Sequence, residues 1–182
     1  MTPHLADTPV IETERLTLRA PAPQDAESFV AFYGTERSQF VGGPMEPRPA
    51  WNFFCTEIGH WAVNGFGMFT VTRKGDDRAI GLVGHWYPLG WPEKEVGWVI
   101  GDPAAEGQGI AYEAARACVD HAYCVLGWDT VVSYIAPANA RSIALAERLG
   151  AARDTSATPP ARKTPDAPDA LVYRHPVPEA RA

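Results

Sequence analysis

The chain opens its first readable pattern at Arg15-Leu16-Thr17-Leu18-Arg19, where polar and apolar residues alternate with the period of a strand buried on one face. From Asp25 to Tyr33 the period changes, and Ala26, Phe29, Val30 and Tyr33 recur at helical spacing before Gly34. Gly42 to Pro49 is too rich in Gly and Pro for regular structure and reads as a loop, followed by a helix over about 50–63. The aromatic residues of that helix, Trp51, Phe53, Phe54 and Trp61, are expected to pack in the core or a lid, or to form a substrate wall. Two strand-like runs, 67–72 and 79–86, flank the polar turn at Lys74-Gly75-Asp76-Asp77 and predict an antiparallel hairpin.

A fourth predicted strand, Glu95-Val96-Gly97-Trp98-Val99-Ile100, is rich in β-branched and aromatic residues and stops at Gly101-Asp102-Pro103. Glycines at 107 and 109 then open a helix over about 110–126, whose stripe of Ala111, Ala114, Ala115, Cys118, Val119 and Ala122 suits close packing on a sheet. A fifth strand is expected at 130–135, a helix from Asn139 to Leu149, and a last strand at 171–174. Between them, 155–170 is crowded with Pro, Asp, Lys and Ala and reads as a mobile loop. There is no internal repeat. Antiparallel strands come first, then one βαβα crossover, then a closing strand.

The length of 182 residues suits one domain with its own core. An apolar share of 46% and a charged share of 21% are ordinary for globular chains. No apolar stretch approaches the roughly 20 residues that cross a bilayer. The start Met1-Thr2-Pro3-His4 lacks a signal-peptide pattern, so a cytoplasmic location is expected. Three cysteines, Cys55, Cys118 and Cys124, without CxxC spacing argue against a disulfide framework or a zinc site and read as small core residues. No metal is expected. A net charge of -6 disfavours nucleic acid as a partner.

Chemistry enters at Glu106-Gly107-Gln108-Gly109-Ile110-Ala111. Successive N–H groups at the start of a helix form a concave anion site, and glycines let a pyrophosphate approach the main chain. A GxG alone is weak, but here it stands between a strand and a long helix.

In this context the chain resembles the GNAT acetyltransferase superfamily, in particular its branch similar to the ribosomal-protein N-terminal acetyltransferases. The resemblance is carried by 14–19, by Glu95-Val96-Gly97-Trp98, by the turn and helix over 106–115, and by Asn139-Ala140-Arg141-Ser142 leading to Glu147-Arg148-Leu149-Gly150. It spans about residues 12 to 175. It implies an α/β fold with a mixed, mostly antiparallel sheet of six to seven strands flanked by helices, the fourth and fifth strands splaying to admit the pantetheine arm of acetyl-CoA. Trp98, Val99 and Ile100 would offer main-chain partners to that arm, and Asn139, itself also a natural helix N-cap, would hydrogen-bond it. Residues Glu106 to Ala111 would hold the pyrophosphate. The chain departs from the family at Ala104, where Gln or Arg usually opens the turn, and at Ala146, where many relatives carry a Tyr acid.

Acetyl transfer from acetyl-CoA to an amine needs a base, a polarised carbonyl and a proton for the thiolate. Glu95 is the candidate base, with an exposed strand-end carboxylate as the plainer reading, and N–H groups near Val99 would polarise the carbonyl. Ser142, close to the expected sulfur, and Tyr134 compete as acid. His85 reads first as a structural histidine and Tyr112 as packing. The partners expected are acetyl-CoA and an amine acceptor, with a homodimer left open. Two other classes remain: a non-catalytic acyl-CoA-binding module, and a dinucleotide-binding oxidoreductase, against which Tyr112 stands where a third Gly is needed.

Overall fold

The computed structural model describes residues 5–161 and 166–178. One eight-stranded sheet runs through it, formed by β1 (Ile11–Glu12), β2 (Leu16–Arg19), β3 (Met68–Arg73), β4 (Gly81–Trp86), β5 (Glu95–Ile100), β6 (Val132–Ile135), β7 (Ala152–Arg153) and β8 (Leu171–Arg174). The spatial order is β1-β2-β3-β4-β5-β6-β8-β7. Every neighbouring pair is antiparallel except β5 and β6, which are parallel. Four helices flank the sheet: α1 (Ala26–Tyr33), α2 (Pro47–Asn64), α3 (Ile110–Cys124) and α4 (Ala140–Arg148). The mixed, mostly antiparallel architecture is the expected one. The sheet has eight strands rather than six or seven because β1 and β7 are two residues each, too short to show a period.

Strand alternation sorts the sheet into two faces. Leu16, Leu18, Phe69, Val71, Val83 and Val96 bury against α3, whose Ala114, Ala115, Cys118 and Ala122 let it approach closely. Each fully buried Leu contributes about 2 kcal/mol of transfer free energy. On the opposite face, Met68 and Leu82 pack against Phe29, Phe32 and Tyr33 of α1 and Phe54 of α2. The α2 helix begins at Pro47, three residues earlier than its apolar pattern suggested. Pro47 and Pro49 occupy the first turn, where a missing N–H costs nothing, so the segment read as loop is partly helical. Gly65 ends the helix at φ 74, with its N–H on Trp61 O at 3.0 Å.

Two expectations need correction. Only Cys118 lies in the core; Cys55 and Cys124 are exposed because they fall off the buried stripes of α2 and α3. Trp51 is likewise exposed, unlike Phe54 and Trp61. Of the 155–170 loop, residues 155–161 and 166–170 carry no helix or strand, and 162–165 lie outside the described residues.

The sheet opens between β5 and β6. Their ladder pairs Glu95 with Val132, next to a bond from Val132 N to Lys94 O of 3.2 Å. One residue on, the Ser133 hydroxyl donates to Val96 O at 2.6 Å in place of a backbone partner. The strands diverge beyond this point, leaving the Gly97 to Ile100 edge facing a cleft. This is the splay expected of the fourth and fifth predicted strands. Among the described residues no helix is long and apolar enough to cross a membrane.

Candidate active site

The C-terminal end of β5 is anchored before the glycine turn begins. Gly101 N and Asp102 N both donate to Ile80 O, at 3.0 and 3.1 Å, and the Asp102 carboxylate accepts from Ala104 N at 2.9 Å. Gly107 and Gly109 then adopt φ 73 and 77, left-handed values that a residue with a β-carbon rarely takes. A β-carbon at Gly107 would meet nothing within 4 Å, so the main chain there faces open space. The first helical bond of α3 runs from Glu113 N to Gly109 O at 3.0 Å, leaving the amides before it without helical acceptors. Together with the positive end of a fifteen-residue helix, they form an anion cradle.

Side chains brace this turn from several elements. Arg15 donates to Gln108 O at 3.0 Å and pairs with Glu113 at 2.6 Å, while Arg73 donates to Gln108 Oε1 at 2.7 Å. The Glu106 side chain turns toward Arg37 and Arg141 rather than into the cradle. The Arg37 hydrogen bond, aided by Arg141, holds its carboxyl below the usual range. Arg37 also donates to Gly101 O at 2.6 Å and Ile100 O at 3.1 Å, along the edge where Ile100 was expected to meet a ligand.

Trp98, Asn139 and Ser142 meet on the α4 side of the cleft. Trp98 Nε1 donates to Ser142 Oγ at 3.1 Å, and Asn139 Oδ1 accepts from Ser142 N at 3.2 Å as the N-cap of α4. The cap occupies the Asn139 carbonyl and leaves its NH₂ group available. Glu95, Gly97 and Val99 instead face the α1 and α2 side. Glu95 Oε2 accepts from Trp91 Nε1 at 2.8 Å, and Oε1 lies 3.4 Å from Tyr134 N. Burial pushes this carboxyl up to about 7 despite both bonds, so it is not the freely exposed strand-end group of the plainer reading. Tyr134 accepts from Glu93 N at 3.1 Å, which leaves its own O–H proton free to donate; burial raises the phenol to about 12. The candidates for base and acid thus divide: Glu95 and Tyr134 lie together, and Ser142 lies with Trp98.

Residues 15–152 match the family model described as acetyltransferase (GNAT) domain, most of the chain. The chain belongs to the GNAT acetyltransferase family. It is similar to an acetyltransferase from Agrobacterium tumefaciens str. C58, with 36% identity over 96% of this chain and 98% of that one and a TM-score of 0.84. At 16% identity the fold is shared with RimL, a ribosomal L7/L12 alpha-N-protein acetyltransferase in complex with coenzyme A (92% and 97% covered, TM-score 0.72). It is shared at the same identity with the microcin C7 self-immunity acetyltransferase MccE in complex with acetyl-CoA and AMP (89% and 92% covered, TM-score 0.69).

Within this GNAT acetyltransferase, the two departures from the family pattern acquire a physical form. Ala104 sits in the turn Pro103–Ala105, and its carbonyl takes a hydrogen bond from the Gln108 side chain. Ala146 is fully buried beside Ile135, Ala151 and Tyr173, so its position supplies no acid. His85 faces the α3 core, where Nε2 lies 3.0 Å from Cys118 O and burial lowers it to about 3. Tyr112 packs on the core under Arg148, whose guanidinium is 4.9 Å from the ring centroid.

Sequence reasoning missed the bracing role of Arg15, Arg37, Arg73 and Arg141, because each acts through a partner far along the chain. It also missed Ser133, which donates to Val96 O and accepts from His175 Nε2 at 2.9 Å, holding the apex of the cleft.

Proposed function

We propose that this GNAT acetyltransferase moves an acetyl group from acetyl-CoA to a primary amine, on a small molecule or a protein N-terminus, by direct attack in a ternary complex. The observation that carries this reading is the meeting of an anion cradle at one end of β5 with a half-buried carboxylate at the other, along a strand edge left free by the splay. Acetyl-CoA, when bound, supplies the thioester. The residues fit it: amides from Gly107 to Ala111 would receive the pyrophosphate, the β5 edge left free at Trp98 and Ile100 would receive the pantetheine amides, and the Asn139 NH₂ would add a donor. A β5 N–H next to Val99, on the edge that faces β6, directed at the thioester carbonyl would stabilise negative charge as it develops.

Glu95, ionised, takes a proton from the acceptor ammonium, freeing the nitrogen lone pair. As the C–N bond forms and the C–S bond breaks, sulfur takes a proton from Tyr134 or Ser142, and the proton that the new amide nitrogen sheds restores that group. Tyr134 is favoured by its shared face with Glu95, Ser142 by its place beside Trp98. Release of free CoA from acetyl-CoA across a panel of amines and peptide N-termini is the direct test, paired with calorimetric titration of acetyl-CoA and NADH. Amine-dependent CoA release is expected. Acetyl-CoA binding without release on any amine would make the chain a binding module, and NADH binding without acetyl-CoA binding would make it a dinucleotide enzyme.

A further inference from the structure

A second carboxylate stands on the same side of the sheet as Glu95 and takes no part in the scheme above. Glu57, in the buried stripe of α2, is 3% exposed, and its Oε2 has no hydrogen-bond partner. Buried polar atoms are almost always paired, so an orphan carboxylate oxygen calls for a ligand or a function. Its surroundings are aromatic and lead toward Glu95. Tyr33 of α1 lies within its field, which together with the phenol's own burial drives that group far above its ordinary value. Tyr33 packs edge-on against Phe53 at 5.2 Å, and Phe53 against Trp86 at 6.2 Å. Trp86 is the cross-strand partner of Glu95, and Trp91 closes the row by donating to the Glu95 carboxylate.

Room exists at the Tyr33 end of this row. A cavity of about 370 Å³ lies between α1 and the sheet, with Tyr33, Phe54, Leu82 and Val99 in its wall. Glu57 follows Phe54 by one helical turn and does not itself line the cavity. Toward the reacting end, Gly97 leaves its face open: a β-carbon there would have only Glu95 Oε1 at 3.6 Å and Met68 Cε at 3.8 Å as neighbours. Met68 in turn packs in the same cluster as Tyr33 and Phe54. A buried carboxylate and a half-buried one joined by aromatic side chains make a surface complementary to positive charge, because ring faces attract cations and a desolvated carboxylate does so more strongly. Burial raises Glu57 to about 8, so it holds its proton until a cation arrives.

We propose that Glu57 determines acceptor specificity by holding a second cationic group on an amine whose first is acetylated beside Glu95. The acceptor class is then a diamine, or a peptide amine with a basic side chain close by. This rests on the amine-acetyltransferase reading. One nitrogen must be deprotonated to attack, which is the work of Glu95, while the other stays charged and is the handle.

The test compares matched acceptors: diaminobutane against butylamine, diaminohexane against hexylamine, and the dipeptide amides Ala-Lys against Ala-norleucine. Wild-type enzyme is expected to prefer the dicationic member of at least one pair by about tenfold or more in kcat/KM. In Glu57→Gln, which is isosteric with the protonated acid, that ratio is expected to fall about tenfold, chiefly through KM. Preference in the diamine pairs alone identifies small polyamines, and preference in the peptide pair alone identifies basic N-termini. Turnover of amines with no preference in any pair, or a preference that survives Glu57→Gln in a protein with a cooperative melt, overturns the inference and leaves the amine reading intact. Absence of CoA release with every amine overturns the amine reading, and this inference falls with it. The wild-type comparison stands whether or not the variant folds.

Discussion

The donor turn and the acceptor face are built on opposite plans. From 101 to 111 the site is main chain: two left-handed glycines, a row of amides and a helix terminus, with arginines bracing from outside. Around Glu95 and Glu57 it is side chain: two carboxyls raised by burial and a run of aromatic rings. A backbone site binds what every donor molecule shares and tolerates exchange of side chains. A side-chain site reads what differs between acceptors, so under the proposed function it is where substrate choice would be set.

That contrast can be broken or sharpened by substitution. The largest effect is expected on the acceptor face. Glu95→Gln should lower kcat by about a hundredfold to ten-thousandfold. Because the base form of Glu95 grows in as pH rises through about 7, kcat/KM should rise through that pH in wild type and lose that limb in the variant. On the donor side, Gly109→Val places a β-branched residue at φ 77. Strain of about 1–3 kcal/mol and displaced amides should weaken acetyl-CoA binding roughly a hundredfold by calorimetry. If Glu95→Gln weakened acetyl-CoA binding as much, the two regions would not be separable.

Ser133→Ala leaves Val96 O and His175 Nε2 without their partner and should cost about 1–3 kcal/mol, read as a drop in Tm. Smaller still is a pH effect on stability. The Glu57 carboxyl is raised from 4.5 to about 8, so its contribution is complete below 4.5 and is lost as pH rises through 8. His85 and His175 are lowered from 6.5 to about 3 and about 4, so they lose stability only as pH falls below 6.5. Between pH 6.5 and 8 wild type should therefore lose on the order of 1 kcal/mol per pH unit relative to Glu57→Gln in parallel melts. Least affected is Arg73→Ala, whose exposed bond to Gln108 should change acetyl-CoA affinity by about threefold or less.

Legibility in the sequence follows the same division. The donor turn could be read because glycine spacing, the preceding strand and the following helix are local features. The splay could be anticipated only through family resemblance, since its cause, Ser133 reaching Val96 O and His175, joins residues 37 and 42 positions apart. Glu57 was invisible: within α2 it is one polar residue among several, and only burial distinguishes it. Glu95 could be named but not weighed, because its carboxyl is raised by burial that only the folded surroundings supply, against the bonds from Trp91 and Tyr134. Cys55 and Cys124 were misplaced since residue type predicts burial only on average, whereas the phase of a helix decides it.

The latch at the cleft apex also orders events in time. Ser133 cannot be engaged until His175 exists, and Arg174 binds Glu93 across 81 residues. The wall of the cleft formed by β6 and α4 is therefore completed only after β8 has been synthesised, with a long loop to close before any bond rewards it. A nascent chain already holding the glycine turn would meet its donor with one jaw. Ligand bound across both jaws would then stabilise the finished sheet by mass action, tying the maturation of the enzyme to the supply of the molecule it uses.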